Sequence, residues 1–166
     1  MVRLYARALT VIATVGACAS MALALALGVA MPDGGTDTAG RYGQEVGPPA
    51  AVQGHTARWL QFSTGTLYVG AGSGVRNAHL HVRVASFARP RTVVWRRDGQ
   101  VLTTVTLPPS YTDIVVPLGD LPAGTTTITV TARPGPQPVA EVTGTDDPRH
   151  VALRFMDPLT VTRGPR

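Results

Sequence analysis

Lysine is absent from the 166 residues, so all 15 basic side chains are arginine. That excludes a lysine Schiff base, a phosphate-loop lysine and a lysine general base. Cysteine occurs once, at Cys18, inside an apolar run. The rest of the chain therefore has no disulfide and no cysteine-ligated metal, and depends on its own hydrophobic core. Glutamate occurs only at Glu45 and Glu141, and no aspartate is set up as the partner carboxylate of a glycosidase. The glycine-rich stretch Gly70-Ala71-Gly72-Ser73-Gly74 lacks glycines two residues either side of the serine, so it is not a nucleophile elbow. It also lacks the third glycine and following helix of a dinucleotide fingerprint. The arginines are scattered without a basic run, which argues against nucleic acid as a partner. A non-enzymatic role is expected.

What the chain does have begins at its N-terminus. Arg3 and Arg7 precede Ala8–Met31, an almost purely apolar run of about 24 residues. At about 1.5 Å per residue, a helix of that length covers the hydrocarbon core of a bilayer. The flanking arginines stay on the cytoplasmic side, so the remainder is expected outside. A retained single-span anchor over residues 1–31 is the expectation. Two alternatives stand beside it. Gly28-Val29-Ala30 offers small residues for cleavage of a secretory signal. Val15-Gly16-Ala17-Cys18 resembles the lipobox of bacterial lipoproteins, which would lipidate Cys18.

Residues 32–54 are rich in Gly, Pro, Thr and Asp and read as a flexible tether. From residue 55 to 166 short β runs alternate with turn signals. Strands are expected at Ala57–Phe62, Thr66–Val69, Ala78–Phe87, Thr92–Arg97, Val101–Leu107, Asp113–Pro117, Thr125–Ala132, Val139–Val142, His150–Phe155 and Leu159–Thr162. Asp98-Gly99 between two apolar runs is a strong hairpin signal. Pro108-Pro109, Pro122-Ala123-Gly124 and Pro134-Gly135-Pro136 stop strands. Leu80, Val82 and Val84 alternate with His79, His81 and Arg83; Thr126, Ile128 and Val130 alternate with a row of threonines. One wet face per strand belongs to antiparallel sheets. The expected fold is all-β, an antiparallel two-sheet β-sandwich of jelly-roll or Ig-like type.

Three groups of residues invite a ligand. His79, His81 and Arg83 share one face of a strand, with Tyr68, Trp95 and Arg154 as candidate neighbours. Aromatic, His and Arg side chains on one concave sheet suit a sugar, whose ring stacks and whose hydroxyls hydrogen-bond. The same histidines offer two metal ligands, but the sequence places no third, so neither metal nor other cofactor is expected. Asp146-Asp147 lacks the spaced acidic pattern of a calcium loop. The Thr125, Thr127, Thr129 and Thr131 row is a single rung and reads as strand propensity on a wet face.

Four segments in order carry a resemblance. They are Arg41-Tyr42-Gly43-Gln44-Glu45; Ala57-Arg58-Trp59 followed by Thr66-Leu67-Tyr68-Val69; Val93 through Val101, with Asp98-Gly99 at its turn; and Asp147-Pro148-Arg149 leading into His150–Phe155. The exported part resembles the β-sandwich modules of bacterial polytopic membrane glycosyltransferases and cell-envelope glycan proteins. The resemblance implies a jelly-roll-like sandwich with a carbohydrate-recognition or substrate-positioning role. It carries the opening Tyr and Glu to Tyr42 and Glu45, the Arg-Trp pair to Arg58 and Trp59, and the late Asp-Arg step to Asp147 and Arg149. No multi-span transferase is attached, so a catalytic role does not follow. On physical grounds Glu45, Arg58, Asp147 and Arg149 are opposite charges expected to form structural ion pairs that close the domain. The function expected is a non-catalytic, membrane-tethered module that binds a cell-envelope glycan or polysaccharide. The rivals are an adaptor for a membrane glycosyltransferase or other membrane protein, and a metal-supported hydrolase.

Overall fold

A computed structural model describes residues 38–52 and 54–164. The apolar run, Cys18 and the first residues of the expected tether lie outside them. Among the described residues no helix is long and apolar enough to cross a membrane.

The described residues form twelve strands: β1 (Thr38–Tyr42), β2 (Ala50–Val52), β3 (His55–Leu60), β4 (Thr64–Ala71), β5 (Val75–Ser86), β6 (Arg91–Arg97), β7 (Gln100–Leu107), β8 (Thr112–Leu121), β9 (Gly124–Arg133), β10 (Gln137–Pro138), β11 (His150–Val151) and β12 (Leu153–Arg163), with one helical turn, α1 (Val139–Thr143). Two five-stranded sheets, in the orders β1-β4-β9-β6-β7 and β2-β3-β12-β5-β8, pack face to face; β10 and β11 form a small ribbon. The pairings are antiparallel. The chain changes sheet at most connections, as in a jelly roll. The Asp98-Gly99 hairpin stays within one sheet, and both its turn residues take positive φ, 50° and 80°, as that pair favours.

The period-two patterns point where they should. Leu80, Val82 and Val84 of β5 face inward, as do Thr126, Ile128, Val130 and Ala132 of β9. They meet Leu60, Leu67, Val93, Leu118 and Leu153 in one core. At its centre Trp95 is fully buried and meets Phe155 edge-on, ring centroids 6.5 Å apart. A smaller cluster of Phe87, Val139 and Val151 packs with Trp59 under α1.

Strand crossings sort the loops to two ends. Residues 61–63, 87–90, 108–111 and 134–149 gather at one, which we term the loop end. At the other lie the turns at 72–74, 98–99 and 122–123. There β1 begins, with Thr38 opposite Ala71, and there Gly164 donates its N–H to the Asn77 carbonyl.

Three expectations need correction. The stretch expected as tether contributes β1 and β2, so from Thr38 to Val52 the described chain is part of the sandwich. Its closure depends on Gly40, where a Cβ would stand 2.7 Å from the Leu159 Cβ. Val139–Val142 is helical, not extended. Pro138 precedes it with φ −58°, Gly144 ends it in the left-handed region, and Thr143 Oγ1 donates to the Val139 carbonyl at 2.9 Å. His150–Phe155 and Leu159–Thr162 are divided differently: His150–Val151 forms β11, and β12 runs from Leu153 on through Leu159–Thr162. Pro158 is tolerated because the register with β5 shifts between Met156 and Thr160, and an irregularity needs no ladder N–H there.

Candidate functional site

At the loop end, Gln61, Phe62, Pro136, Pro148, Arg149 and His150 line a cleft of about 490 Å³. Phe62 is 59% exposed at its mouth, the most exposed large apolar side chain described. Each wall is held from below. The 134–137 loop is fixed by Arg91, only 1% exposed, which starts β6. Its Nε donates to the Pro134 carbonyl at 3.0 Å, and its Nη2 to the Gly135 carbonyl at 3.2 Å and Gln137 Oε1 at 3.0 Å. Its Nη1 donates to the Phe87 carbonyl and, at 3.2 Å, to that of Arg89. Burial, with Arg89 close by, lowers the Arg91 pKa from its ordinary value, and carbonyl dipoles take the place of a counter-ion.

The opposite wall rests on a ladder of alternating rings and guanidiniums. Arg149 sits 5.4 Å from the Trp59 ring centroid; Arg154 sits 6.0 Å from the same ring and 5.2 Å from that of Tyr111. Asp147 anchors the outer rung, accepting from the Arg149 backbone N–H at 3.0 Å and from Nε at 2.9 Å. Those side-chain bonds, then the backbone bond, hold the Asp147 carboxyl down to about 2. Arg154 Nη2 donates to the Pro109 carbonyl at 2.6 Å. The ladder orients Arg149 toward the cleft without help from a ligand.

A second cleft, about 480 Å³, opens along the sandwich edge, lined in part by Gly40, Tyr42, Val46, Arg58, Asp157 and Leu159. Arg58 Nε donates to Asp157 Oδ2 at 3.0 Å, and the guanidinium lies 5.0 Å from the centroid of the Tyr42 ring. Burial first, and then the Asp157 carboxylate, push the Tyr42 phenol far above its ordinary range. Glu45 Oε2 is buried without a hydrogen-bond partner. Of the expected ion pairs, then, Asp147 meets Arg149, while Arg58 meets Asp157 and not Glu45.

The sugar-binding residues expected from sequence are dispersed. Trp95 is fully buried in the core, because the residue alternation of β6 turns it inward. Tyr68 is 40% exposed on the outer face of the other sheet from His79, His81 and Arg83. Those three do share an outer face. His81 Nε2 bonds Thr162 Oγ1 at 2.9 Å, and Arg83 lies 3.9 Å from Asp113. None of the three lines either cleft. Arg154 is committed to the ladder. Among the described residues no three His, Cys, Asp or Glu side chains converge as a metal site. Sequence reasoning missed Phe62, Arg91 and Asp157. Phe62 reads from sequence as the last residue of an Ala57–Phe62 strand, whereas β3 ends at Leu60 and leaves Phe62 in the loop.

No protein-family model and no curated protein matches this chain. Among solved structures it is similar to the CsCBM6-3 module of Clostridium stercorarium, in complex with cellobiose, at 15% identity and TM-score 0.42, covering 74% of this chain and 86% of that one. It is similar to the carbohydrate-binding module CBM6cm-2 of Cellvibrio mixtus lichenase 5A, in complex with cellotriose, at 12% identity and TM-score 0.45, covering 79% and 100%. It is also similar to the C-terminal CBM6 of LamC from Zobellia galactanivorans, at 12% identity and TM-score 0.39, covering 72% and 99%.

Proposed function

We propose that this chain is a non-catalytic glycan-binding module, held at the outer side of a membrane by its N-terminal apolar run and accessory to envelope glycan assembly. The sugar docks in the loop-end cleft. The exposed Phe62 ring beside Gln61, Arg149 and His150 carries the reading. A phenyl face left in water is unfavourable, and the C–H face of a pyranose covers it well. The amide, guanidinium and imidazole supply donors and acceptors for ring hydroxyls, while Pro136 and Pro148 confine the approach. The arrangement is set in advance: Arg91 fixes one wall and the Asp147–Arg149–Trp59 stack the other, so little ordering cost falls on binding. The lining contains no carboxylate, serine or cysteine, which suits binding without turnover. The chain enters the sandwich at Thr38, at the end away from the cleft.

The test is a panel of neutral and acidic envelope oligosaccharides against the full chain in detergent. Replacing Phe62 by alanine should weaken the best ligand about tenfold, the worth of one stacked ring, without altering the melting temperature. Failure to bind any member of the panel, or an unchanged affinity in the variant, would refute the reading.

A further inference from the structure

The outer face of the β1-β4-β9-β6-β7 sheet is a separate surface from the cleft. Register sets its rows. Arg41 lies beside Tyr68, which lies beside Thr127. Thr66 pairs with Thr129, which pairs with Arg96; Thr64 pairs with Thr131, which pairs with Val94. Arg133 pairs with Thr92, which pairs with Thr106. Neighbouring strands lie about 4.8 Å apart and alternate residues about 6.8 Å along each, so hydroxyls recur in both directions across the face. Thr64 and Thr131 are within 3.3 Å of each other through their hydroxyls, and Tyr68 is 40% exposed among these rows.

Strand propensity accounts for threonines on a wet face. It does not account for the charge. Solvated faces ordinarily mix both signs. The opposite outer face does so, with Arg83 near Asp113. Here Arg41, Arg96 and Arg133 point outward, none is in an ion pair among the described residues, and no carboxylate occupies an outward position of the five strands.

We propose that this face binds an acidic polysaccharide bearing carboxylates on successive sugars. Each guanidinium presents a planar fork that matches a carboxylate, Tyr68 offers its ring to a sugar face, and the threonines exchange hydrogen bonds with ring hydroxyls. The contacts are individually weak and exposed, so affinity grows with polymer length and falls with salt. Arg41 also borders the edge cleft, but the site uses none of the loop-end cleft residues, so it stands or falls apart from the reading of Phe62.

Immobilised polygalacturonate is the probe, with neutral galactan and phosphatidylglycerol vesicles as parallel arms and the full chain in detergent as analyte. Retention on polygalacturonate should exceed that on galactan and vanish between about 0.01 M and about 1 M salt. Combining Arg41→Gln, Arg96→Gln and Arg133→Gln should weaken polygalacturonate binding about tenfold, the sum of three exposed charge contacts. Phe62→Ala, and the pair Arg76→Gln with Arg163→Gln on the other sheet, should leave it unchanged. Equal retention on galactan, or a triple variant no weaker than that control pair, overturns the proposal. So does a triple variant that loses vesicle binding while keeping polygalacturonate, which would make the face a lipid surface.

Discussion

Arg91 shows how one residue shapes a site that it never enters. Its guanidinium is buried against backbone carbonyls of two loops, and removing it leaves those acceptors dry and unpaired. Each such orphan costs about 1–3 kcal/mol. Arg91→Met should therefore destabilise the fold by about 3 kcal/mol or more in denaturant unfolding, and Arg91→Lys should restore little, because an ammonium has no planar fork. Nothing in Ala88-Arg89-Pro90-Arg91 distinguishes the second arginine from the first; burial alone does, and burial depends on strands far away in sequence. Asp147 was more legible. Two residues before Arg149, it forms a local pair that sequence distance alone predicts. Its carboxyl titrates lower in the folded protein than in the unfolded chain. The pair's contribution is accordingly whole above the unfolded carboxyl value and is lost as pH falls toward about 2. Carbon-detected NMR should place the Asp147 midpoint near that value, and Asp147→Asn should flatten the acid limb of stability below about pH 4.

At the scale of elements, β1 and β2 separate composition from structure. Thr36–Val52 is poor in large apolar residues, which is why it reads as spacer. Yet Tyr42 packs against Phe155 with centroids 5.6 Å apart, and Val46 is buried against Leu60. Few contacts suffice because each is placed: Gly40 lets β1 approach Leu159, and backbone bonds from Gly43 to Thr66 and from Gly47 to Trp59 hold the intervening turn. A chain beginning at Thr38 keeps every described strand and should unfold cooperatively. A chain beginning at His55 should lose both edge strands, expose Leu67 and Phe155, and melt many degrees lower or fail to fold; circular dichroism melting distinguishes the cases. The helical turn α1 was illegible for a related reason. Val139-Ala140-Glu141-Val142 suits either state, and only the packing of Val139 beneath Trp59 and Phe87 decides it.

At the scale of the whole molecule, alternation carried most of the reading. Where a strand has one apolar and one polar face, as in β5 and β9, the two sheets and their inward sides follow directly. Where both faces hold apolar residues, as around Val93-Val94-Trp95, sequence left Trp95 free to be either core or platform, and the second sheet made it core. The cleft was harder still. Its lining comes from three loops whose meeting depends on how strands cross between sheets, and no local spacing encodes that. Placement of the described termini, in contrast, has a practical outcome. Thr38 and Gly164 emerge together, opposite the Phe62 cleft. An affinity tag, a fluorophore or a sensor-chip linkage joined directly to Gly164, or to Thr38 of a shortened chain, is therefore attached at the end remote from the proposed sugar, and surface capture through it leaves the docking loops facing the analyte stream.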